Sequence, residues 1–174
     1  MNAKGNKYFI LLVIVGTSLF SACKKTKSVS SIPEISYNSF TKYGKDSALI
    51  SINFKDGDGD IGLNQPDTAS PFNSKSPYYN NLFMVYYYKG SDGNFHRYFE
   101  VLINDSIDFR YRVPNITPKG KNKSLEGEIK VVLKPVYYAI AASPAHTLIR
   151  YQIYIYDRAL NKSNVIVSDD ISIP

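Results

Sequence analysis

Residues 48–62 read Ala-Leu-Ile-Ser-Ile-Asn-Phe-Lys-Asp-Gly-Asp-Gly-Asp-Ile-Gly and decide the fold. From 48 to 54 the pattern alternates, which predicts a β-strand with Ile50, Ile52 and Phe54 facing inward. The alternation then gives way to Asp56-Gly57-Asp58-Gly59-Asp60-Ile61-Gly62, with carboxylates at alternate positions and glycines between them. Like charges this close repel unless a cation joins them. Ca²⁺ takes several oxygen ligands, and a flexible loop lets them converge. Asp56, Asp58 and Asp60 match positions one, three and five of an EF-hand loop, and Asp67 falls at twelve. However, Ile61 stands where that loop needs Gly, Asp67 stands where it needs Glu, and no helical pattern flanks it. Two readings therefore stand side by side. One is a Ca²⁺ site that stiffens the loop rather than catalyses. The other is a metal-free Asp-Gly turn, since both residues favour φ > 0 and local side-chain bonds.

Outward from this loop the chain reads as β throughout, with turn residues at short intervals and no long helical periodicity. Strands are predicted at 35–40, 48–54, 82–88, 95–103, 107–113, 125–133, 148–156 and 165–173. Ile129, Val131 and Leu133 face inward, and in the strand at 148–156 Leu148, Tyr151, Ile153 and Ile155 supply the apolar positions. Residues 62–80, with Pro66, Pro71 and Pro77, form a long loop, and loops of that length tend to be functional. Residues 89–94 are a hairpin turn, 117–123 a basic solvated loop, and 139–144 a short helical turn; His96 is a surface residue. Seven to eight antiparallel strands make an all-β, two-sheet sandwich.

The first 22 residues are predicted to be a signal peptide: Lys4 and Lys7 precede an apolar run at 8–15, too short to span a bilayer. Leu19-Phe20-Ser21-Ala22-Cys23 follows, and Cys23 is the single cysteine, so no internal disulfide can form. Residues 23–31, rich in Ser and Lys, read as a flexible tether, and 32–174 as one domain. The formal net charge of +6 falls by two when Lys4 and Lys7 are removed. Part of the remainder sits at Lys24, Lys25 and Lys27, where it suits anionic headgroups rather than nucleic acid. No zinc-finger spacing or basic helix supports nucleic acid binding, and no Gly-x-Ser-x-Gly elbow, Walker loop or His-Glu-x-x-His supports an enzyme.

Several of these motifs carry a resemblance. Residues 19–23 resemble the lipobox of bacterial lipoproteins, which implies that Cys23 is lipidated and becomes the first residue of the mature chain. Residues 54–62 resemble the F-x-DGDGD-IG motif of small, largely uncharacterised Bacteroidota lipoproteins, and Asp157-Arg158-Ala159-Leu160-Asn161-Lys162-Ser163 matches their D-R-A-x-N-x-S ending. The ending is also similar to the D-x-x-G-N-x-S hairpin of bacterial immunoglobulin-like domains, with Leu160 where those have Gly. The resemblance implies an immunoglobulin-like or fibronectin-III-like sandwich and no particular activity. In such a sandwich the loop after the second strand and the last hairpin share one end, which brings Asp157 and Asn161 toward Asp56, Asp58 and Asp60. Lipoproteins of this phylum sent to the cell surface usually carry acidic residues after the cysteine. Lys24-Lys25-Thr26-Lys27 departs from that pattern and points to the periplasmic side of the outer membrane.

Two further features bear on partners. Asp46-Ser47-Ala48, Asp67-Thr68-Ala69 and Asp105-Ser106-Ile107 resemble the Bacteroidota O-glycosylation acceptor, making Ser47, Thr68 and Ser106 candidates. The chain has 15 tyrosines, densest at Tyr78-Tyr79 and Tyr86-Tyr87-Tyr88. Tyr78, Tyr79, Tyr86 and Tyr88 are candidate ligand contacts, or half-buried strand residues. The expected function is a lipid-anchored envelope protein, held to the membrane through Cys23, that acts as a non-catalytic binding or structural module with a protein or glycan partner. The alternative is a carbohydrate-binding lipoprotein of a polysaccharide-uptake system.

Overall fold

The computed structural model describes residues 29–100, 104–121, 123–140 and 145–173. The expected signal peptide, Cys23 and most of the expected tether lie outside them, as do parts of the segments at 95–103 and 139–144. The chain is an all-β sandwich. One sheet takes β1 (Glu34–Tyr43), β2 (Ser47–Asp56) and β8 (Leu125–Leu133) in the order β1-β2-β8. The second is built on β3 (Leu82–Lys89) and β9 (Leu148–Ile155), which lie side by side. β4 (Phe95–Arg97) and β7 (Asp108–Tyr111) share the far edge of β3, while β10 (Ile166–Val167) and β11 (Ile171–Ser172) share the far edge of β9. One layer thus runs β1-β2-β8 and the other β10-β9-β3. No helix among the described residues is long and apolar enough to cross a membrane.

Period-two alternation explains the core. Ala48, Ile50, Ile52 and Phe54 of β2 are buried, with Val131 and Leu133 of β8 beside them. Facing them are Leu82, Met84 and Tyr86 of β3 and Ile149, Tyr151, Ile153 and Ile155 of β9. Each aliphatic side chain so buried contributes about 1.5–3 kcal/mol. On β9 the inward row begins at Ile149, not Leu148, because Leu148 belongs to the other parity.

The other differences from the expected strands have local causes. β2 runs on to Asp56, so the inward row ends on a carboxylate. The return strand after β3 breaks at Tyr98, which donates its N–H to Tyr86 O. Phe99–Glu100 (β5) then pairs with Asp105–Ser106 (β6), and Tyr86 N–H bonds Ile107 O as the chain comes back to the same edge. The final strand is broken as well. Between the pairs Val167↔Gln152 and Ile171↔Ile149 the last segment spends one more residue than β9, a bulge. Ser168 repairs the gap, its Oγ accepting the Tyr151 N–H at 2.9 Å. Ser163 Oγ does the same for Ile155 N–H at 3.0 Å. The single described turn of 3₁₀ helix lies at Pro135–Tyr137, ahead of the expected 139–144.

Candidate metal centre

β2 sets the first ligand. Counting by twos from Ile50 through Ile52 and Phe54 reaches Asp56, whose side chain therefore enters the end of the core and is 0% exposed. Its Oδ2 accepts the Ile61 N–H at 2.9 Å. Its Oδ1 is buried and has no hydrogen-bond partner. The chain then turns sharply. Gly59 has φ +66°, and a Cβ there would lie 1.8 Å from the Lys123 carbonyl oxygen, so no other residue fits. Asp58 stays exposed, while Asp60 is half-buried with its Oδ1 also lacking a partner.

One oxygen from each of Asp56, Asp58 and Asp60 lies within 4.8 Å of the other two. Ligands on a shared Ca²⁺, each about 2.3–2.6 Å from it, can be no more than about 5 Å apart, so the three oxygens fit one ion. Burial pushes the Asp56 carboxyl up to about 6; the Asp58 and Asp60 charges add to this, and the Ile61 N–H opposes it. Burial likewise raises Asp60 to about 6, reinforced by Asp157 and Asp58.

The last hairpin lies against this loop. Ile61 forms a β-bridge with Asp157, and Arg158 N–H donates to Asp60 O at 3.2 Å. Asp157 is buried, and burial raises its pKa. Both its oxygens serve its own turn, accepting the Asn161 N–H at 2.7 Å and the Asn161 amide at 2.8 Å. Leu160 adopts φ 67°, a left-handed conformation that favours glycine. Asp157 and Asn161 thus border the cluster, with Asp157 contributing charge.

Asp67 does not join the cluster. Its carboxylate accepts the Asn64 N–H at 2.7 Å and forms an ion pair with Arg158. The Asn64 N–H first, and then Arg158, hold its pKa below the ordinary value. Asp67 therefore ties the long loop to the hairpin. The tether end is also docked rather than free: Ser30 O accepts the Gly57 N–H at 2.8 Å, directly beside the loop.

The tyrosines divide by parity. Tyr86 continues the inward row of Leu82 and Met84; it is fully buried, with its hydroxyl 3.0 Å from His146 Nδ1, and it cannot meet a ligand. Tyr88, on the same face, is half-buried and stacks on His146 with ring centroids 4.0 Å apart. Burial lowers the His146 pKa. Tyr79 is exposed under the Arg112 guanidinium, and Tyr78 meets Tyr156 edge-on at 5.3 Å. Tyr78 opens onto a cleft of about 240 Å³ shared with Phe83, Tyr154, Tyr156, Asp108 and Arg110. The odd parity of Phe83 signals this outward position; His146 has no comparable pattern around it. Of the glycosylation candidates Thr68 is exposed, whereas Ser47 and Ser106 are half-buried in strand pairs. Comparison with protein-family models, curated proteins and solved structures found no match.

Proposed function

We propose that this chain is a lipid-anchored envelope protein, held through Cys23 on the periplasmic face of the outer membrane, and that its sandwich serves as a non-catalytic binding or structural module stabilised by Ca²⁺. The observation that carries the calcium reading is the buried, unpartnered Asp56 Oδ1 set beside Asp58 and Asp60. Such an oxygen is costly to bury without a partner, and a divalent ion is the partner that three neighbouring carboxylates share best. The ion binds the folded state alone and stabilises it by about 2.7 kcal/mol at a hundredfold its dissociation constant. Thermal melts with Ca²⁺ and with chelator test this: the midpoint rises with Ca²⁺, and equal midpoints with no heat on titration overturn the reading.

A second reading, glycan binding, is favoured by the outward cleft of Tyr78, Phe83, Tyr154 and Tyr156 beside Asp108 and Arg110. Aromatic rings flanked by polar groups suit the apolar face and hydroxyls of a sugar. Oligosaccharide titration of the wild type and of Tyr78→Ala decides it: no binding by either removes the reading.

A further inference from the structure

The sandwich closes its long edges with care, except at one. β1 is bulged between Tyr37 and Ser39. The Asn164 amide bonds both Ile35 N–H and Ile35 O at 2.8 Å, and Lys42 donates to Ser172 O at 2.6 Å. The edges of β3 and β9 are covered by β4, β7, β10 and β11. Among the described residues β8 has none of these protections. Its nine residues pair with β2 without a bulge, and it contains no proline. No hydrogen bond among the described residues reaches its other side. Such an edge is a template for another strand.

We propose that β8 pairs antiparallel with β8 of a second copy of this chain, about a two-fold axis through Ile129, joining the two three-stranded sheets into one. The charges select both the occupant and the register. The outward row is Glu126, Glu128, Lys130 and Val132, the last 66% exposed. About Ile129, Glu128 stands opposite the second copy's Lys130 on both sides of the axis, and Glu126 stands opposite Val132. Moving the axis to residue 128 sets Glu128 against Glu128, and moving it to 130 sets Lys130 against Lys130; like charges directly opposite destabilise. A one-residue slip turns the outward row toward the core side. Within one chain Lys130 already meets Glu128 at 2.9 Å, so the pairing extends an existing ion pair into a square of four charges that alternate in sign around it. On the inward side Gly127 meets Val131 and Leu125 meets Leu133. The interface is isologous and closes at two copies.

Two differently tagged full chains, co-expressed and solubilised in mild detergent, test the pairing by co-purification. Wild-type copies co-purify. Lys130→Glu with itself, and Glu128→Lys with itself, lose most of the recovered partner, because each sets like charges opposite. Lys130→Glu mixed with Glu128→Lys recovers it, since both cross pairs are again opposite in sign, and this also shows that each variant is folded. Failure of wild-type copies to co-purify, as when another protein's strand holds the edge, overturns the proposal. So does a mixed pair no better than the single swaps.

Discussion

Asp56 and Ile61 close the calcium candidate from within. The Ile61 N–H takes one carboxylate oxygen at 2.9 Å, and the other is left buried with no donor. The backbone thus orients the carboxylate while satisfying half of it. That arrangement makes the loop sensitive to protons, and under the calcium reading to metal as well.

Without metal, Asp56 and Asp60 titrate near 6 in the folded state against 3.8 for an ordinary aspartate. Between those values the folded chain holds protons that the unfolded chain has released, so stability falls as pH rises from about 4 to about 6 and is level above. Asp56 and its neighbouring carboxylates share this loss as one interacting group. Ca²⁺ requires the ionised groups, so its affinity falls below pH 6 and its binding there releases protons. Calorimetry in two buffers of different ionisation enthalpy measures this, and no proton release at pH 5.5 contradicts it.

Asp58→Asn removes most of the calcium response, because Asp58 is the exposed member that completes the cluster. Asp67→Asn leaves that response intact and lowers stability through the lost Arg158 pair, by about 1 kcal/mol or less at this partly exposed site. Melts of both variants with and without Ca²⁺ separate the two roles. A calcium response lost equally in both would return Asp67 to the ligand set.

Leu160→Gly stabilises the domain. A leucine at φ 67° bears a clash of about 1–2 kcal/mol that glycine lacks, partly offset by glycine's greater chain entropy. Urea unfolding should show a higher midpoint for Leu160→Gly and none for Leu160→Ala, which keeps its Cβ.

Tyr86→Phe leaves the buried His146 Nδ1 without its partner and costs about 1–3 kcal/mol. Glycan affinity, where it exists, is unchanged, since Tyr86 lies inside the core. A loss of affinity at equal stability would show that Tyr86 reaches ligand.

Alternation made most of the sandwich legible, and it placed Ile50, Ile52, Phe54 and Leu133 in the core correctly. The same rule, carried two residues further, reaches Asp56 and would have forecast its burial. The breaks at Tyr98 and Ser168 were not legible, because each depends on a hydrogen bond to a neighbouring strand that local pattern does not encode. For Tyr86 and Tyr88 the sequence left ligand contact and strand packing open for a related reason, and the structure packs Tyr86 inside and leaves Tyr88 half-buried. A tyrosine among alternating residues looks the same on either face until the hydroxyl's partner, His146, is known. Asp67 fell at a familiar spacing, but its fate was set by Arg158, distant in sequence.

Under the proposed anchor at Cys23, the hydrogen bond from Gly57 to Ser30 also limits how the domain can stand on the membrane. With Cys23 acylated, seven residue steps separate the bilayer surface from Ser30, a reach of at most about 25 Å. Under the proposed anchor the aspartate loop would lie within that reach of the bilayer. It would sit within a few Debye lengths of the headgroups, where an anionic surface draws divalent ions in and raises their local concentration.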